Sequence, residues 1–221
     1  FSLFGDSDLV ARLLPSLFGA LLIPLVYCVY RIGYIDKKQT LLAVLLLSLS
    51  PNMVYFSRFL RHDIFMLFFS FLLLVAILYY FEYGQTRYAI IAAIAMAGGL
   101  SCKEEMPVIL LIFVSFFIYA VWRGKFKLPQ DWKYDCIFGA FIVIAIMSVL
   151  YSAFGFHIET LVGQNFALNT TGWYKAVEHW TAMHNQQRLG GPWFYYIPLY
   201  FLYELPIFIL AMIGTVQFVF K

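Results

Sequence analysis

The chain has 221 residues, of which 63% are hydrophobic, 20% aromatic and only 12% charged, with a mean hydropathy of +0.81. A soluble domain cannot hide that much apolar surface, so composition places the chain in a membrane. The net charge of +3 is small and the basic residues are dispersed, which excludes a nucleic-acid surface and leaves no nucleic acid among the expected partners.

A membrane-spanning helix takes roughly 20 mostly apolar residues. Seven segments read that way. The first covers 15–30, after an amphipathic lead-in at 8–14. The second covers 40–56 and carries Ser50-Pro51-Asn52, where proline predicts a kink. The third is 64–80. The fourth, 88–100, is short and rich in small residues (Ala92, Ala93, Ala95, Ala97, Gly98, Gly99), which suit close helix packing in lipid. The fifth and sixth are 106–122 and 136–154. The seventh, 193–220, contains Pro198, Glu204 and Pro206, and reads as a broken helix. The expected fold is therefore all-α: a polytopic transmembrane helical bundle of about seven spans, forming one transmembrane domain over 1–221. The chain opens on Phe1 and ends on Lys221 straight after an apolar run, as expected of an internal piece of a longer protein.

Orientation follows from Lys and Arg in the loops. One set of loops holds nine basic residues against four acids; the other holds six (Arg12, Arg58, Arg61, Lys103, Lys175, Arg188) against eight. The first side is expected to be cytoplasmic. The hydrophilic stretch 155–192 then forms an external loop. Within it, Trp173, Val177, Trp180 and His184 recur at helical spacing and predict an interfacial helix. Cys28, Cys102 and Cys136 are odd in number and lack CxxC spacing, so thiols rather than disulfides are expected.

Three charged clusters interrupt the apolar chain, all expected on the external face. Charge near a bilayer centre costs at least ~2.5 kcal/mol, so such clusters belong near the surface. In Arg58-Phe59-Leu60-Arg61-His62-Asp63, a helical reading puts Arg58 and Arg61 at i and i+3, where two guanidiniums can grip one phosphate. Asp63 is a candidate base, a group that holds an acceptor, or only the residue that orients Arg61. A positively charged interfacial turn with local ion pairs is the plainer alternative. Lys103-Glu104-Glu105 offers a point-charge phosphate ligand, with Glu104 expected to pair with Lys103 or with an arginine of the first cluster; a solvated turn competes with that reading. Arg188 is the cation of the third cluster. Glu204 is ionisable inside an apolar run, which marks either a functional site or a structural salt bridge. Glu178, His179 and His184 leave a divalent metal open as a cofactor but form no HExxH motif. No glycine-rich phosphate loop or GxSxG motif is present, so a sugar donor would be lipid-linked rather than nucleotide-linked.

These clusters resemble the polytopic GT-C glycosyltransferases, which include the protein O-mannosyltransferases and the lipid A aminoarabinose transferases. The resemblance is carried by Asp6-Ser7-Asp8 with Ala11-Arg12-Leu13-Leu14-Pro15 and Gly19, by Ser57 to Asp63, and by Gly99-Leu100-Ser101-Cys102-Lys103-Glu104. Gly190-Gly191-Pro192-Trp193 through Pro198, with Tyr203-Glu204, resembles most a prokaryotic subgroup described as flippase-associated in glycosylation. The resemblance implies inverting transfer of a sugar from a polyprenyl-phosphate-linked donor to an acceptor, at the external face of a prokaryotic plasma membrane. It implies catalytic roles for Asp63 and Glu104, lipid-phosphate binding by Arg58, Arg61, Lys103 and Arg188, and further candidates in His62 and Glu204. The principal catalytic base is expected upstream of Phe1. A lipid-linked-sugar flippase or a non-catalytic subunit of a glycosylation complex are the alternatives.

Overall fold

A computed structural model describes residues 8–59, 61–103, 105–152, 154, 161, 171–184 and 194–219. These residues are almost entirely helical, with no strand among them. In chain order the helices are α1 (Asp8–Ile32), α2 (Lys37–Leu49), α3 (Pro51–Arg58), α4 (His62–Tyr83), α5 (Thr86–Cys102), α6 (Met106–Trp122), α7 (Trp132–Tyr151), α8 (Gly172–His184), α9 (Tyr196–Tyr203) and α10 (Leu205–Val219). The chain is an all-α membrane protein. Ala11–Ile32, His62–Tyr83 and Trp132–Tyr151 are long and apolar enough to cross a bilayer, and α2 with α3 makes a fourth candidate if the bent pair is one span. Three further apolar helices, Thr86–Cys102, Met106–Trp122 and Leu205–Gly214, are shorter. Apolar side chains such as Leu111, Ile118, Ile137, Phe141 and Ile144 point outward, as lipid-facing residues do.

The helices end where their residues say they should. Asp36 caps α2 by accepting the Gln39 N–H at 2.7 Å, while the Gln39 side chain returns the bond to the Asp36 N–H at 2.9 Å. Pro51 cannot continue α2, because it lacks an N–H and its ring crowds the preceding turn. It opens α3 instead, and the two helices meet at 57°. The expected kink is present. The seventh apolar run is likewise broken, at Glu204, with Pro206 in the first turn of α10.

Two compact units can be described, 1–64 with 188–221, and 65–187. In the first, α1 packs against α2 and α3. Gly19 of α1 faces Ser57 of α3 so closely that a Cβ on Gly19 would lie 2.9 Å from the Ser57 Cβ.

In the second unit α5 is the central helix. Its small residues do what their spacing predicts. Ala93 and Ala97 pack on Val143 and Met147 of α7, while Ala95 packs on Met66 and Leu73 of α4 and Met106 of α6. Gly98 lies against the Phe69 ring and Gly99 against the Met106 side chain. Without water, close backbone approach and dispersion must hold such helices together. Polar side chains find partners within the protein. Ser70 and Ser101 donate to the carbonyls of Met66 and Ala97, each at 2.8 Å. The buried Asp135 carboxylate accepts the Tyr80 hydroxyl at 2.6 Å, tying the start of α7 to α4. At that end Phe81, Phe117 and Phe126 cluster, and the Arg87 guanidinium lies over the Tyr88 ring at 4.8 Å. Aromatic and basic residues together suit a membrane–water interface.

The packing separates two glycines that composition treats alike. A Cβ on Gly98 would meet the Phe69 ring at 2.5 Å, whereas a Cβ on Gly139 would touch the Ala93 Cβ at an ordinary 3.7 Å. Gly98→Ala is expected to destabilise by about 1–3 kcal/mol through overpacking. Gly139→Ala should be neutral, or stabilising by up to ~1 kcal/mol from helix propensity. Thermal unfolding of the purified variants in one detergent checks the contrast; equal shifts would refute it.

Candidate functional site

The helix ends of the first unit bring charge to an apolar groove. α3 carries Arg58 in its last turn, where a cation complements the negative end of the helix dipole. α1 carries Arg12 near its start. Because α1 packs on α3, the two arginines line one open groove of about 710 Å³ together with Ala11, Leu49, Pro51, Val54, Tyr55 and Phe59. A narrower slot of about 210 Å³ runs beside it, between α1, α2 and α3. Arg58 and Val54 line both. Gly19 and Ser57 line the slot, so the close approach that joins α1 to α3 also shapes it. Tyr55 stacks on Phe59, with ring centroids 5.6 Å apart, and stiffens the groove wall. Two arginines beside an apolar wall suit an amphiphile with an anionic head and a hydrocarbon tail.

One expectation is corrected. Arg58 and Arg61 do not share a helix face. α3 stops at Arg58, Phe59 is extended, and the Arg61 N–H closes a turn on the Phe59 carbonyl at 2.8 Å. α4 then starts at His62, with Asp63 in its first turn. The physical reason lies in the charges. A base ending α3 and an acid starting α4 each complement a helix terminus, and those gains favour two termini over one continuous helix.

Arg61 Nε and Asp63 Oδ2 form an ion pair at 3.2 Å, with side chains 57% and 24% exposed. The pair holds Arg61 in place, one of the roles the sequence leaves open for Asp63. His62 is exposed at the start of α4. In the second unit, Lys103 caps the C-terminus of α5 through its N–H on the Gly99 carbonyl at 3.3 Å. Its ammonium pairs with Glu105 at 2.7 Å. The sequence suggested Glu104 for that role; Glu104 and Arg188 lie outside the described residues. Arg12, Arg58, Arg61 and Asp63 thus belong to the first unit and Lys103 to the second.

Glu204 makes no salt bridge with a described arginine. It is buried and accepts a hydrogen bond from Ser50 at 2.5 Å. Among the described residues no group of three His, Cys, Asp or Glu side chains is placed to hold a metal. Cys28, Cys102 and Cys136 form no disulfide.

Sequence reasoning gives Arg12 no binding role. A signal exists in its charge: it is one of six basic residues on the side that loop statistics disfavour, as is Arg58. The pairing of the two becomes visible only once α1 lies on α3.

Each of these ion pairs has one partner more than half exposed, and such solvated pairs contribute little to stability. Arg61→Gln and Glu105→Gln should each lower stability by less than ~1 kcal/mol. A larger loss on thermal or denaturant unfolding would show that the pairs hold the helix ends together.

A family model described as dolichyl-phosphate-mannose-protein mannosyltransferase matches residues 1–151. The match contains both grooves and the first two charged clusters. No curated protein and no solved structure matches the chain.

Proposed function

Because the chain belongs to the dolichyl-phosphate-mannose-protein mannosyltransferase family, and so to the membrane glycosyltransferases, we propose that it transfers a sugar from a polyprenyl-phosphate-linked donor to an acceptor on the external face of the membrane. The observation that carries this reading is the groove between α1 and α3, which pairs Arg12 and Arg58 with an apolar wall. The wall takes the first prenyl units and the arginines take the phosphate. In the transfer, an acceptor atom attacks the anomeric carbon as the bond from that carbon to the phosphate oxygen breaks. The phosphate leaves with the bonding electrons, and fixed cations stabilise the charge it gains. The acceptor proton passes to a base, for which Asp63 and Glu104 are the acidic candidates in this chain. Arg61, Lys103 and Arg188 are the further candidate phosphate ligands that the family resemblance suggests.

A second reading has its own support. α2–α3 and α9–α10 are broken helices, which membrane transporters use to build sites. A flippase would move the lipid-linked sugar across the bilayer without an acceptor, so acceptor-free flipping in proteoliposomes separates the two readings.

In the full-length protein, Arg58→Ala and Arg12→Ala are each expected to lower transfer at least about tenfold, the weight of one lost charge-assisted hydrogen bond. Arg58→Lys should recover only part, since an ammonium cannot make the bidentate contact. The assay is sugar transfer from a lipid donor by variants with matched melting curves. Wild-type rates for both alanine variants would remove the groove from the reaction.

The orientation is tested separately. A single cysteine at Glu178, an exposed position of α8, should react with an impermeant thiol reagent from outside the cell. Reaction from the cytoplasmic side alone would invert the topology.

A further inference from the structure

Two helices of the first unit are broken, and the breaks touch. α2 gives way to α3 at Ser50, and α9 gives way to α10 at Glu204. The Ser50 hydroxyl donates to the Glu204 carboxylate at 2.5 Å, across 154 residues of sequence. Both residues are buried, Ser50 4% exposed and Glu204 8%. Ser50 has two more bonds. Its hydroxyl oxygen accepts the Met53 N–H at 3.2 Å and so caps α3, and its own N–H donates to the Leu46 carbonyl at 2.8 Å to finish α2. One serine therefore ends one helix, starts the next and holds a buried carboxylate. That carboxylate sits at the N-terminus of α3 and immediately before α10, where helix dipoles favour negative charge.

Glu204 lines neither groove, so a direct part in binding is not what its position offers. Its reach is through α3. The eight residues of α3 make a rod about 12 Å long with Ser50 at one end and Arg58 at the other. A change of about 10° at the bend moves the far end of such a rod by about 2 Å. Misplacement by about 1 Å can cost up to about a hundredfold in a preorganised site.

We propose that Glu204 is a positioning residue: through Ser50 it fixes the bend between α2 and α3, and thereby the place of Arg58 in the groove. The inference rests on the reading of Arg58 as a phosphate ligand. It explains why a carboxylate is retained in an apolar run, where an ionisable group is costly.

The test uses the full-length protein in lipid nanodiscs with two readouts. The first is the distance between spin labels at Leu41 on α2 and Tyr55 on α3, with the native cysteines replaced. The second, in unlabelled protein, is affinity for a polyprenyl monophosphate. Glu204→Ala should shift or broaden the label distance and weaken binding about tenfold, the cost of losing a well-aligned charged contact. Glu204→Gln still offers an oxygen to the Ser50 hydroxyl, so it should keep the distance, with affinity within about twofold. Arg58→Ala/Glu204→Ala should bind no worse than Arg58→Ala alone, because residues acting as one unit are not additive. If Glu204→Ala folds poorly, Ser50→Ala/Glu204→Leu removes both members of the pair and leaves only the Met53 N–H without its cap. An unchanged label distance in Glu204→Ala or in that double variant overturns the proposal, as do additive losses with Arg58→Ala. Unchanged affinity in Arg58→Ala alone would instead sink the phosphate reading, while the label distance would still judge the bend.

Discussion

Everything in this molecule answers to one constraint: inside a bilayer no water satisfies a polar group, so the protein must do it or move the group to an end. The serines show the first solution. Ser70 and Ser101 bond back to their own helices. The buried acids show the second, since Asp135 takes the Tyr80 hydroxyl and Glu204 takes the Ser50 hydroxyl. The remaining charge shows the third. Arg58, Arg61, Asp63 and Lys103 all sit at helix termini or in the turns beside them. A site for a charged ligand can then form only at helix ends, and its shape depends on where those ends are placed.

Placement depends in turn on how closely the helices approach. Small residues allow that approach in both units. Gly19 lets α1 reach Ser57 of α3, and that contact lines the narrow slot beside Arg58. Ala93 and Ala97 let α5 reach α7, while Gly98 and Gly99 let it reach Phe69 and Met106. Dispersion between lipid-like surfaces has no hydrophobic term to help it, so fractions of an ångström matter. The same close contact that stabilises the first unit therefore also sets the width of its groove.

These features were not equally legible in the sequence. The breaks at Ser50-Pro51 and Glu204-Leu205-Pro206 were, because proline acts through local sterics that need no tertiary context. The close packing of α5 was too, because a run of alanine and glycine has few other uses in lipid. The separation of Arg58 from Arg61 was not. It depends on a contest between continuing one helix and gaining two complementary termini, and spacing alone cannot decide that. The partnership of Arg12 with Arg58, and of Ser50 with Glu204, comes from long-range packing, which one chain without relatives does not spell out. Lys103 marks an intermediate case. A carboxylate partner nearby was expected, and Glu105 supplies one at 2.7 Å through the local turn.

The cations also differ in what they can offer a phosphate. Arg61 has an acid at 3.2 Å and Lys103 has one at 2.7 Å. A cation with a carboxylate at contact presents a dipole to a third charge, and a dipole's field falls off faster with distance than a single charge's. Arg58 has no ion-pair partner among the described residues, and it lines both grooves. It is exposed, beside the apolar side chains of the groove wall. Because Arg58 rides on the far end of a short helix, the strength of its field at any point in the groove is a property of the bend at Ser50 as much as of the arginine itself.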